Sequence, residues 1–235
     1  MFNFSPRHNA GIAVLLIVSA ANLGIVARLF TLSRAGQFFF ILTRVLMLVI
    51  PLIWFFRVDK GRFIKSLPSR QQCLIGMILG TLMFGIILSA YWLIGQDWIN
   101  PTDVQLKAKQ IGLDNPIVYL FSAFYFTVIN SLLEEYIWRW FVCRQCEVMF
   151  PKNIALYFAA LCFTLHHVVA LIAYTGNWFV VVIGAFGVFT AGAVWAWCYL
   201  TYRSLWACYI SHLLADLAIA LIGWHLLFIA KSSFV

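Results

Sequence analysis

The chain has eight acidic residues, and two of them stand side by side in an apolar run, Ser131-Leu132-Leu133-Glu134-Glu135-Tyr136-Ile137-Trp138-Arg139. Glu135 and Arg139 are four residues apart, which on a helix sets one above the other and suits an ion pair. Glu134 is turned about 100° away and has no partner in its own helix. A carboxylate held out of water without a partner can act as a general base. One glutamate can therefore be structural while its neighbour does chemistry. A helix–helix ion pair and nothing more is the plain alternative.

Two further apolar runs carry ionisable groups. One reads Phe163-Thr164-Leu165-His166-His167. Adjacent side chains point to different faces of a helix, so at most one of these histidines is expected beside Glu134. The other run reads Ser211-His212-Leu213-Leu214-Ala215-Asp216. His212 and Asp216 share a face, where an acid can orient an imidazole or accept its proton. The plain readings are an interhelical hydrogen bond for the first run and a packing pair for the second. His225 shows no evident partner. One carboxylate and two imidazoles suit two chemistries. They can activate water by general base catalysis next to an oxyanion site. Alternatively Glu134, His167 and His212 can hold a zinc ion that activates water. Both lead to hydrolysis.

The elements that must bring these residues together are membrane helices. Residues of the AVILMFWYC set make up 64% of the chain and charged residues 10%, and the mean hydropathy is +0.94. Soluble domains carry about 25% charged residues, so this chain cannot cover a water-facing surface. The same composition excludes disorder. Six cysteines spread over a long apolar chain do not make a small disulfide scaffold. Long apolar runs, in place of short alternating strands, exclude a β-barrel. The expected fold class is all-α, a polytopic transmembrane bundle.

A spanning helix needs about 20 apolar residues. The expected spans are 10–30, 36–56, 72–95, 117–143, 153–174, 178–200 and 204–230. A break in the last would raise the number from seven to eight. Pro51 falls inside the second span and predicts a kink, which a membrane helix tolerates. The first span is read as a retained helix and not a cleaved signal peptide, because its apolar stretch is too long and further spans follow. The net charge of +8 reads as topology, not as nucleic-acid binding, because the basic residues lie in loops. Loop 57–71 holds Arg57, Lys60, Arg62, Lys65 and Arg70, so it is expected to be cytoplasmic. The N-terminus then lies in the cytoplasm, and loop 96–116 lies outside. Helical rise places Glu134 roughly 14 Å, His167 roughly 21 Å and His212 roughly 12 Å from the cytoplasmic ends. Three helices can thus bring a glutamate and two histidines to one layer.

Glu134-Glu135-x-x-x-Arg139, then Phe163-x-x-x-His167, then His212-x-x-x-Asp216 resembles the CAAX protease and bacteriocin-processing family. This Abi-type group includes the type II CAAX prenyl endopeptidases. The lead-in Tyr202-Arg203-Ser204-Leu205-Trp206 is also similar, and the likeness covers roughly residues 117–220. The resemblance implies an intramembrane endopeptidase in a bacterial inner (plasma) membrane. It implies a single integral membrane domain, with variable helices over 1–116 and a protease-like core over 117–230. By analogy Glu134 would activate water and His167 would help to hold it. Glu135 and Arg139 would brace the helix, and His212 and Asp216 would stabilise the oxyanion. The partners implied are a peptide or membrane-protein substrate and membrane lipid, with no nucleic acid. Metal use is left open, with zinc as the candidate. Three departures stand out. Asp216 replaces a frequent Asn and can donate only when protonated. Trp140 replaces a frequent Gly. His166 is additional to the motif.

Other intramembrane protease signatures are absent. There is no His-Glu-x-x-His, no Gly-x-Ser-Gly and no Gly-x-Gly-Asp. Cys143-x-x-Cys146 has no second pair to complete a zinc site and is read as two incidental thiols. The rival functions are a membrane scaffold or self-immunity protein, and a small transporter or proton relay. A scaffold would tolerate Glu134→Gln, and a transporter would show a driven flux.

Overall fold

The structure is a computed structural model that describes residues 5–30, 33–61 and 67–230. Arg62 and Lys65, two of the basic residues in loop 57–71, lie outside the described residues. The described residues form eight helices and no strand: α1 (Pro6–Phe30), α2 (Arg34–Arg57), α3 (Arg70–Leu93), α4 (Pro101–Gln110), α5 (Pro116–Met149), α6 (Lys152–Thr175), α7 (Trp178–Tyr202) and α8 (Trp206–Ile229). Seven are long and apolar enough to cross a membrane, all but α4. The last span is helical throughout, so no eighth span arises from a break there.

The helix starts follow local chemistry. Ser69 and Gln72 form a reciprocal capping box at α3, with both contacts at 3.2 Å. Asn115 caps α5 by accepting from the Ile117 and Val118 amides, and Pro116 occupies the first turn. Asn177 caps α7 in the same way, directly after the left-handed Gly176 that ends α6. Between α7 and α8, Arg203 is itself left-handed (φ 51°). Its guanidinium donates to both carboxylate oxygens of Glu147, at 2.5 and 2.7 Å. That pairing raises the Arg203 pKa and ties the turn to the end of α5.

Two expectations change. The fourth span was expected over 117–143, whereas α5 runs to Met149. The polar residues that made Cys143 look like an end are paired sideways. The Arg144 guanidinium lies 5.3 Å from the Phe55 ring and 5.7 Å from the Trp140 ring, and Gln145 donates to Asp59 at 2.9 Å. Burial raises the Asp59 pKa, opposed by Gln145 and Arg144. The second change is in loop 96–116, which holds the amphipathic helix α4. It is capped by Asn100, with Pro101 in its first turn. Gln105 donates to the Leu226 and Ala230 carbonyls at 2.9 and 3.3 Å, and Lys107 donates to the Ala173 carbonyl. Helix α4 thus bridges the ends of α6 and α8 on the side away from Arg203.

Packing relies on small residues at helix crossings, as expected where lipid offers no hydrophobic drive between helices. Helix α3 runs parallel to α8 through Gly76-x-x-x-Gly80. A Cβ at Gly76 would come within 2.9 Å of the Ala207 carbonyl, and one at Gly80 within 3.0 Å of Ser211 Cα. Ala10, Ala13, Ala20 and Ala21 are buried on α1, which packs against α2 and α6. The core proper lies around Trp138, Phe141, Phe163 and Trp195, and the ionisable cluster sits directly upon it.

Candidate active site

Helix α5 changes its winding twice around the site. Residues Tyr125–Asn130 and Glu135–Cys143 are π-helical, and the α-turn Ser131–Glu134 lies between them. Such wide turns are rare and often mark functional sites. The Ser131 hydroxyl reaches back to the Thr127 carbonyl at 2.7 Å. It also lies 2.7 Å from Asp216 Oδ2. A hydroxyl has one proton and a carbonyl only accepts, so both bonds at once require a proton on Asp216.

Glu135 and Arg139 form the expected pair, with Nε 3.2 Å from Oε2 and neither side chain exposed. Among the described residues the guanidinium finds no hydrogen-bond partner on Nε, Nη1 or Nη2. It lies 4.5 Å from the Phe163 ring and 5.3 Å from the Trp195 ring, so two aromatic faces help to hold its charge. The other oxygen of Glu135 lies 2.8 Å from His212 Nδ1. Glu135 thus joins Arg139 to His212. Trp195 stacks on the His212 ring, 4.1 Å between centroids and 18° between planes, and donates to Ser211 at 3.0 Å.

Glu134 is also buried, but its surroundings differ. Oε2 faces His212 Nε2 at 3.6 Å and His167 Nε2 at 4.0 Å. Oε1 faces His166 Nε2 at 3.8 Å. None of these is a direct hydrogen bond. His212 Nε2 also lies 3.6 Å from Asp216 Oδ1. The three expected residues Glu134, His167 and His212 meet in one layer, with Asp216 next to them. Because α5 is longer than expected, Glu134 lies roughly 22 Å from the Met149 end by helical rise.

Three readings of these residues are corrected. Glu134 does have a partner in its own helix, since Asn130 Nδ2 donates to Oε1 at 3.0 Å. Both adjacent histidines, not one, face Glu134. Their rings lie 4.1 Å apart, close enough for the two oxygens of one carboxylate to straddle them. His166 is fixed by Trp138, stacked at 5.0 Å and 5°, and its buried Nδ1 has no hydrogen-bond partner among the described residues. The third concerns His225, whose Nδ1 lies 2.7 Å from the Tyr91 hydroxyl. The four-residue spacing of Asn130 and Glu134 was readable in the sequence. The stacking rings were not. Cys143 and Cys146 are buried and belong to no metal-ligand grouping among the described residues.

The tautomer of His167 follows from its partners. Nδ1 lies 3.0 Å from the Phe163 carbonyl, which only accepts, so Nδ1 carries the proton and neutral Nε2 carries the lone pair. Glu134 Oε2 and His167 Nε2 are then two acceptors facing one gap. A molecule with protons to give, such as water, satisfies both. A cation does so as well. Glu134, His166 and His167 each offer a ligand atom within 4.8 Å of one another. Two imidazoles and a carboxylate are a catalytic-zinc donor set, and the Phe163 carbonyl is an orienting partner of the kind metal-bound histidines use.

The described helices thus bring one buried carboxylate and three imidazoles together inside a bundle of membrane-length helices. Residues 116–218 match the family model described as type II CAAX prenyl endopeptidase Rce1-like. The matched segment begins at the first residue of α5 and ends within α8, so it contains Glu134, Glu135, Arg139, His166, His167, His212 and Asp216. Over this segment, which is less than half of the chain, the protein is similar to the type II CAAX prenyl endopeptidases. No curated protein and no solved structure matches the chain.

Proposed function

We propose that this protein hydrolyses a peptide bond in a membrane-associated substrate, with water as the nucleophile. The observation that carries the reading is the gap between Glu134 Oε2 and His167 Nε2, 4.0 Å wide and lined by two acceptors. Water in the gap gives one proton to each acceptor and keeps a lone pair for attack. Glu134 takes the proton released on attack and passes it to the leaving amine. His212 stabilises the oxyanion. Its Nδ1 is committed to Glu135, so it donates from Nε2 as an imidazolium, and the Glu135 carboxylate supplies counter-charge. Glu135 and Arg139 brace the turn. If zinc is bound, Glu134 and His167, with His166 or His212, would hold it, and it would supply a Lewis acid for the same water.

The clustering of Arg144, Lys152 and Arg203 at the Met149 end of the bundle supports a cytoplasmic position for that end and for the N-terminus. The substrate is a peptide carrying a membrane anchor of its own, such as a prenylated C-terminus or a leader-bearing chain. The test is a profile of peptide termini in membranes and medium. Cells carrying the native chain are compared with cells carrying equal amounts of Glu134→Gln. Termini that appear only with the native chain support hydrolysis and name the substrate. Identical profiles, with the native chain still supporting its host phenotype, favour a scaffold or immunity role.

A further inference from the structure

We propose that Asn130, which lies outside all three motifs, is the positioning residue that aims Glu134. The inference rests on the hydrolytic reading above and deepens it. Among the described residues, the 3.0 Å bond from Asn130 Nδ2 is the shortest polar contact Glu134 makes. The histidines stand at 3.6 to 4.0 Å. A carboxylate only accepts hydrogen bonds when ionised, so the amide must present its NH2 and not its oxygen.

The local winding creates this contact. Asn130 closes one π segment and Glu134 ends the α-turn that follows. One α-turn separates them, which puts the amide on the same face as the carboxylate. A glutamate side chain has three rotatable bonds and two equivalent oxygens. With Oε1 held by Asn130, Oε2 is committed to the gap shared with His167 and His212. Without that bond the carboxylate can turn, and a displacement of about 0.5 Å already takes a reacting group out of productive geometry. The bond runs along one helix and does not depend on how α6 and α8 move when substrate enters.

The experiment compares Asn130→Ala and Asn130→Asp with the native chain and Glu134→Gln, each purified and in membranes. Aspartate fills the same volume but cannot donate when ionised. Two readouts are taken. The first is the rate at which Glu134-dependent peptide termini appear. The second is the carboxylate infrared band of Glu134, isolated as the difference between each protein and its Glu134→Gln counterpart, which needs no substrate. We expect both variants to lower the rate about 10- to 100-fold and to displace the band, with thermal unfolding in detergent unchanged. If Asn130→Asp cleaves at the native rate, or the band stays in place in both variants, Asn130 fills space only and the proposal is overturned. If Glu134→Gln itself still generates the termini, the hydrolytic reading fails instead, and the infrared result still decides whether Asn130 holds Glu134.

Discussion

The two halves of helix α5 differ in how they are packed. From Glu135 to Cys146 most side chains are buried, including Ile137, Trp138, Arg139, Phe141, Val142, Cys143, Gln145 and Cys146. From Pro116 to Glu134 few are buried: Tyr119, Thr127, Ser131 and Glu134. The dense half packs against α1, α6 and α7, whereas the other half packs chiefly against α8. Glu134 and Glu135 stand at the boundary. Glu135 is fully enclosed and faces into the dense block, bound to Arg139 and His212. Glu134 faces the loosely packed side, where the His167 side chain is 27% exposed. The neighbouring carboxylates can therefore carry different duties although they differ by one position in sequence.

The comparison can be broken most sharply at Arg139. Arg139→Ala breaks a fully buried ion pair and leaves Glu135 only its contact with His212 among the described residues, a change that costs about 3–5 kcal/mol. We expect loss of the folded protein from detergent extracts, measured by gel filtration and thermal unfolding. Replacing Glu135 and Arg139 together by Leu and Met should restore part of that loss, because neither member of the pair is then left without the other, although His212 loses its Nδ1 partner. A second test uses one residue type in both halves. Phe141 is 2% exposed and Phe121 is 74% exposed. Phe141→Ala should destabilise by about 3 kcal/mol, and Phe121→Ala by no more than about 0.5 kcal/mol. Similar losses at both positions would remove the distinction between the halves. The smallest effect is expected at the surface ion pair. Arg203 is 53% exposed at its side chain, so Arg203→Ala should cost only about 0–1 kcal/mol, and less as salt rises.

Much of this arrangement was legible in the residues. Hydropathy gave seven spans because lipid requires every backbone group to be satisfied within a helix. The four-residue spacing gave the Glu135–Arg139 pair. The three separated motifs pointed to one layer because charges inside a membrane need partners. What was not legible depends on local winding and on flat rings. Two π segments leave no hydropathy signal, yet they set Ser131 and Glu134 on the turn between them. Trp138 and Trp195 stack on His166 and His212 and fix those rings, a contact that hydropathy does not register. The expectation that adjacent histidines diverge overlooked the span of a carboxylate, whose two oxygens meet both. Helix α4 is polar and too short to span a membrane, so it leaves no hydropathy signal in loop 96–116. Its Asn100-Pro101 start and the basic Lys107 and Lys109 in its last turn are readable helix signals.

The division of labour between the two glutamates is tested most directly by comparing Glu134→Gln with Glu135→Gln in activity and in thermal unfolding. The account predicts that Glu134→Gln unfolds within about 1 kcal/mol of the native protein and generates none of its peptide termini. It predicts that Glu135→Gln loses stability first, through the unpaired Arg139. Cleavage by Glu134→Gln at the native rate, or the same stability loss in both variants, would contradict it.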